Sequence, residues 1–211
     1  MRARARGGGA GGSRAGEALT VVRIGIFGGT FDPPHVGHLL AASDAHEALA
    51  LDRLLFVPAA RQPFKGDAVG ASPAQRAAML ELMLAGDARF AVDRSEMERE
   101  GLSYTVDTLA GLAARHPGAS LHLLIGEDLS AQIATWREPA RIAALAEIVV
   151  LARAGDRMLA PRSDLPMRRL DTRRVDVSST EIRARVKGGT SINGFVVEPV
   201  ARFIRDAGLY R

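Results

Sequence analysis

Arg23-Ile24-Gly25-Ile26-Phe27-Gly28-Gly29-Thr30-Phe31-Asp32-Pro33-Pro34-His35-Val36-Gly37-His38 opens as an apolar strand, passes through glycines and prolines, and enters a segment of helical period. A short apolar run followed by a glycine-rich turn and an amphipathic helix is the first unit of a parallel sheet covered by helices. In such sheets ligands bind outside the carboxyl ends of the strands, where the turn exposes backbone N–H groups at a helix N-terminus. The stretch is not a dinucleotide fingerprint, because Gly25, Gly28 and Gly29 do not fit Gly-x-Gly-x-x-Gly. Nor is it a P-loop, since no Gly-Lys-Ser/Thr follows.

Working outward, the same alternation continues. Strands are expected over Val22–Phe27, Leu54–Val57, Phe90–Val92, Leu121–Ile125 and Ile148–Leu151, and helices over His38–Ala50, Pro73–Ala85 and Thr105–Arg115. Ser72-Pro73-Ala74-Gln75 marks a helix start with an N-cap, a proline at the first position and a capping glutamine. A last helix over Pro199–Ala207 carries Val200, Phe203, Ile204 and Ala207 on one face and stops at Gly208. Residues 154–176 read as an excursion with one short strand near Arg168–Leu170. The expected fold is α/β: a Rossmann-like doubly wound parallel sheet with flanking helices and a small C-terminal helical portion, spanning 21–211.

Residues 1–20, rich in Gly, Ala and Arg, lack apolar periodicity and read as a disordered tail. The net charge of +4 is largely theirs: Arg2, Arg4, Arg6 and Arg14 against Glu17 give +3, leaving +1 for the rest, which argues against a nucleic-acid partner. The absence of cysteine removes disulfides, thiolate metal sites and a cysteine nucleophile. No apolar run is long enough for a membrane span, and the N-terminus lacks a secretory core, so a cytoplasmic location is expected.

His35 and His38, three residues apart around Gly37, can direct two imidazoles to one point at the positive end of a helix, a suitable place for a phosphoryl group. Either histidine alone would more often be a packing or capping residue. Zinc is the alternative for the pair, but no third ligand is evident, and no protein-held metal is expected. The second signal is Val177-Ser178-Ser179-Thr180-Glu181-Ile182-Arg183. Ser178 with Glu181 reads as a capping box, and three consecutive hydroxyls with Arg183 on the first turn also suit a polyphosphate.

Together these strings resemble the HxGH and SSTxIR signatures of the nucleotidyltransferase superfamily. The resemblance to its bacterial nicotinate-nucleotide adenylyltransferase family runs from about Arg23 to Arg211. Further landmarks are Phe56-Val57-Pro58 with Lys65 downstream, Ser103-Tyr104-Thr105-Val106-Asp107-Thr108-Leu109, Ile125-Gly126-Glu127-Asp128, Thr135-Trp136 and Gly208-Leu209-Tyr210-Arg211. Two departures stand out. The chain reads Gln62-Pro63-Phe64-Lys65 where that family often has Pro-Pro-His-Lys, and Arg137-Glu138-Pro139 where a second aromatic often follows the tryptophan.

The resemblance implies AMP transfer from ATP to nicotinate mononucleotide, giving nicotinate adenine dinucleotide and pyrophosphate, with Mg²⁺ on the ATP phosphates. It implies that His35, His38 and Arg183 are catalytic. It implies that Gly28, Gly29, Thr30, Phe31, Gly37, His38, Ser178, Ser179, Thr180 and Arg183 bind ATP. Lys65, Tyr104, Thr105, Asp128 and Trp136 would bind the mononucleotide: Lys65 its phosphate, Asp128 a ribose hydroxyl, Trp136 the pyridine face, and backbone groups at Tyr104 and Thr105 the carboxylate. The competing readings are a pantetheine-phosphate adenylyltransferase, which shares the first signature, and a non-catalytic nucleotide sensor.

Overall fold

A computed structural model describes residues 21–60, 70–99, 101–153 and 164–211. The expectations for the tail, for Lys65 and for residues 154–163 therefore lie outside the described residues. Six strands form one wholly parallel sheet: β1 Arg23–Gly29, β2 Arg53–Pro58, β3 Phe90–Val92, β4 Ser120–Gly126, β5 Glu147–Arg153 and β6 Met167–Thr172. Their order, β3-β2-β1-β4-β5-β6, reverses direction between β1 and β4, the switch point of a doubly wound sheet.

Successive strand residues face opposite sides, so both faces must be apolar. Phe27, Leu54, Phe56, Leu124 and Val149 pack on one side beneath α1 (Val36–Ala48), α2 (Pro73–Leu84), α7 (Ser179–Lys187) and α8 (Glu198–Asp206). Ile26, Leu55, Val57, Leu123, Ile125 and Val150 pack on the other side beneath α4 (Thr105–Arg115) and α6 (Pro139–Leu145). Two short helices, α3 (Ser95–Glu98) and α5 (Glu127–Ser130), lead from β3 and β4. None of the described helices is long and apolar enough to cross a membrane.

Several expectations shift. Gly28 and Gly29 are the last two residues of β1, paired with Val57 and Pro58, rather than part of the turn. The first helix starts at Val36, not His38, making His35 its N-cap. The Ser72–Gln75 capping box forms as expected: Ser72 Oγ accepts from Gln75 N–H at 3.2 Å, and Gln75 Oε1 from Ser72 N–H at 2.8 Å. The strand near Arg168–Leu170 is β6. In the last helix Ala207 is exposed and Leu209 is buried in its place, because Gly208, at φ +60°, turns the chain back.

Candidate active site

The loop leaving β1 is fixed from below by Phe31. Its φ of +52° is left-handed, which costs about 1–2 kcal/mol for a residue with a Cβ. Its ring, 2% exposed, lies edge-on to Phe27, with centroids 5.7 Å apart, and to His38, at 5.0 Å. Burying a phenylalanine contributes about 1.5–3 kcal/mol, enough to offset the strained backbone. Gly29 is demanded by this arrangement, since a Cβ there would lie 2.8 Å from the Phe31 ring. A Cβ at Gly28 would meet nothing within 4 Å among the described residues, so their packing does not explain that glycine.

The loop then delivers the two histidines. Their rings stack, with centroids 3.7 Å apart and planes 28° from parallel. Backbone N–H of His35 donates to His38 Nδ1 at 3.2 Å. An N–H can only donate, so Nδ1 carries the lone pair, and the ring proton of neutral His38 sits on Nε2 as a donor. Burial, and then the charge of His35, hold the His38 pKa well below that of an ordinary histidine, so the ring stays neutral at physiological pH. Gly37 is the hinge of the pair, because a Cβ there would lie 3.0 Å from His35 Nδ1.

The second signature docks onto this loop from the far end of the chain. After β6, Arg173 pairs with Asp44 of α1 at 2.6 Å and steers the chain over that helix. Ser178 caps α7 by accepting from Glu181 N–H at 3.1 Å, the serine half of the expected capping box. Ser179 Oγ donates to Pro33 O at 2.8 Å, Arg183 donates to Asp32 O at 2.8 Å, and Thr180 Oγ1 accepts from Arg183 at 3.3 Å. The N-termini of α1 and α7 therefore meet at one loop, where their dipoles favour an anion. The three hydroxyls thus serve three different bonds: Ser178 caps, Ser179 ties the helix to the loop, and Thr180 supports Arg183.

The remaining expected residues lie along the same edge of the sheet. Ser103 Oγ accepts from Ala60 N–H at 3.2 Å just beyond β2, setting the start of α4, whose N-cap is Tyr104 and whose first residue is Thr105. The Arg137 guanidinium lies 4.8 Å over the Tyr104 ring, which brings the Trp136 segment to the same helix end. Trp136 is partly buried against the apolar cluster under α4. Asp128 is exposed at the start of α5, directly after β4, and Gly126 makes room for it: a Cβ there would lie 2.6 Å from Asp128 Oδ1.

The sequence assigns no role to three further residues. Asp32, 4% exposed, accepts from Gly70 N–H at 3.0 Å, Ala71 N–H at 3.1 Å and Tyr210 Oη–H at 2.6 Å. Arg76, 2% exposed, donates to Thr30 O at 2.7 Å and Ala59 O at 2.6 Å. It links the β1 loop to the strand end that positions Ser103. Tyr210 closes the group from the C-terminus. Among the described residues there is no group of three or more His, Asp or Glu side chains that could hold a metal ion.

Comparison with known proteins matches residues 26–185 to the cytidylyltransferase-like family. A Gemmatimonas aurantiaca protein named "probable nicotinate-nucleotide adenylyltransferase" is 47% identical over 197 residues, covering 90% of this chain and 93% of that one. A Thermus thermophilus protein of the same name is 46% identical, covering 90% of this chain and all of its own. Among solved structures, a Plasmodium falciparum nicotinic acid mononucleotide adenylyltransferase complexed with APC shares the fold at a TM-score of 0.69 and 16% identity, covering 90% of this chain and 97% of that one.

Proposed function

The chain belongs to the cytidylyltransferase-like family and, within it, to the nicotinate-nucleotide adenylyltransferases, and on that premise we propose how its residues carry out the reaction. It transfers AMP from ATP to nicotinate mononucleotide. A phosphate oxygen of the mononucleotide bonds to the α-phosphorus of ATP, the bond from that phosphorus to the bridging oxygen breaks, and pyrophosphate leaves. Mg²⁺ enters with ATP as part of the nucleotide substrate. The nucleophile is supplied by the substrate, so the protein's tasks are alignment and charge stabilisation.

The observation that carries this reading is the docking of α7 onto the β1 loop by the 2.8 Å bonds from Arg183 to Asp32 O and Ser179 to Pro33 O. It gathers a neutral imidazole donor, two helix N-termini and a guanidinium at the carboxyl edge of β1, beside the sheet's switch point. In our assignment His35 and His38 donate to the α-phosphate, and the start of α7 with Arg183 holds the β- and γ-phosphates. Gly28 and Gly29 allow the nucleotide to approach the backbone, and Gly37 lets the histidines stack. Thr30 and Phe31 act from within the loop, Phe31 as its buried anchor.

For the acceptor, we assign the first N–H groups of α4 at Tyr104 and Thr105 to the pyridine carboxylate, Trp136 to the ring face, Asp128 to a ribose hydroxyl and Lys65 to the phosphate. Backbone N–H groups only donate, which suits a carboxylate and leaves the NH₂ of a carboxamide facing other donors. That mismatch gives a preference on the order of 10- to 1,000-fold in kcat/KM for nicotinate over nicotinamide mononucleotide. The test is pyrophosphate release from ATP and Mg²⁺ with nicotinate mononucleotide, nicotinamide mononucleotide and phosphopantetheine in parallel. Turnover with phosphopantetheine alone would overturn the assignment, and equal kcat/KM for the two pyridine nucleotides would remove the carboxylate site.

A further inference from the structure

Tyr210 reaches the β1 loop from the C-terminus and belongs to neither signature. Gly208, at φ +60°, ends α8 with Leu209 N–H donating to Ile204 O at 3.0 Å, which sends Leu209 into the core and turns Tyr210 toward the β1 loop. There its hydroxyl donates to Asp32 Oδ1 at 2.6 Å, across 178 residues of sequence. Burial and the bond to Asp32 raise the phenol pKa far above its ordinary value, so the hydroxyl remains a donor.

The geometry connects this bond to Arg183 by two routes. The main-chain carbonyl of Asp32, whose carboxylate Tyr210 holds, is the acceptor for Arg183 at 2.8 Å. Gly70 provides the second, since a Cβ there would lie 2.7 Å from the Tyr210 ring and 3.8 Å from Arg183 Cδ. The tyrosine ring and the arginine stem therefore lie against the same glycine. The N–H of Gly70 is itself donated to Asp32.

We propose that Tyr210 is a positioning residue, holding Asp32 from the C-terminus so that its carbonyl aims the Arg183 guanidinium at the phosphates of ATP. This rests on the reading of Arg183 as a phosphate-holding group. The bond acts on where the guanidinium points, so its loss reduces turnover more than ground-state affinity. A residue that only stabilised the fold would lower the melting temperature and leave kcat at low temperature unchanged.

The test uses the full chain with ATP, Mg²⁺ and nicotinate mononucleotide, measuring kcat and KM for ATP well below the melting temperature, alongside thermal melts. Tyr210→Phe, which keeps the ring, is expected to lower kcat about tenfold with KM changed less than about threefold. Gly70→Ala retains every hydrogen-bonding group but displaces the ring, and should reproduce that loss, which covers the case in which Tyr210→Phe fails to fold. In an Arg183→Ala background Tyr210→Phe should have no further effect on kcat. An unchanged kcat in both single variants, or full additivity with Arg183→Ala, overturns the proposal. Failure of the proposed function appears separately, as a wild-type enzyme that does not use nicotinate mononucleotide.

Discussion

Arg76→Met tests whether the two halves of the site share one structural support. Arg76 is 2% exposed, and its guanidinium donates to Thr30 O at 2.7 Å and Ala59 O at 2.6 Å, while Asp32 favours its charged form against the burial that lowers its pKa. Methionine fills much of the volume but leaves both carbonyls without that donor. Hydrogen bonds to a charged group contribute about 1.5–3 kcal/mol each. Asp32 keeps its bonds from Gly70, Ala71 and Tyr210, so the loss is that of the two carbonyl bonds at the low end of that range, about 3 kcal/mol. For a domain of this size each kcal/mol shifts the melting temperature by about 2–4 °C, so thermal unfolding should occur about 6–12 °C lower. Arg76→Lys retains charge but not the fork that reaches two carbonyls, and should fall between. Asp32→Asn combined with Arg76→Met should cost less than the sum of the two. A Met variant melting within about 2 °C of wild type would show that the buried guanidinium is not this support.

His38→Ala should lower kcat by about 100- to 1,000-fold with little change in KM for ATP, measured by pyrophosphate release, because a donor used mainly in the transition state is lost. The depressed His38 pKa places the neutral ring's window lower: the His38 ring signals followed by NMR should titrate below pH 6.5, and His35→Gln should move the midpoint upward by removing the neighbouring charge. His122, in β4, has its pKa lowered by burial against the opposing bond to Glu147 at 2.8 Å. The unfolded chain therefore binds the proton more tightly, and this residue's contribution to stability is complete above about pH 6.5 and is lost as pH falls toward the lowered folded value. Urea unfolding at pH 7.5 and 5.5 should show a drop in wild type that His122→Gln reduces.

The sheet was legible because its strands are buried on both faces and read as short apolar runs, and because Ser72 and Gln75 announced a helix start in their side chains. Strand ends were harder. Gly28 and Gly29 look like turn residues, yet main-chain pairing with Val57 and Pro58 extends β1 through them, and pairing is blind to side-chain type. The polar sequence Met167–Thr172 gave only a weak strand signal because β6 is the edge of the sheet, paired on one side with β5, and its residues are mostly exposed or half-buried. Helical period alone puts Ala207 on the buried face. The period ends with the helix, and the glycine turn hands that position to Leu209.

The site divides along a similar line. The histidines and the Ser178–Arg183 stretch were visible because their chemistry is carried by side chains at short, regular spacing. Asp32, Arg76 and Tyr210 were not, since almost everything they bind, and everything Arg183 and Ser179 bind across the fold, is main chain: the carbonyls of Thr30, Asp32, Pro33 and Ala59 and the N–H groups of Gly70 and Ala71. Every residue has a carbonyl, so no pattern of residue types can announce which one will be used. One trace did exist. Arg76 lies on the stripe completed by Met79, Leu80 and Met83, all buried, and a charge placed on an apolar stripe must find buried acceptors or the helix does not dock. A stripe broken by arginine therefore predicts a cluster of turned-in carbonyls nearby. In this fold, the loop that follows β1 supplies one of them.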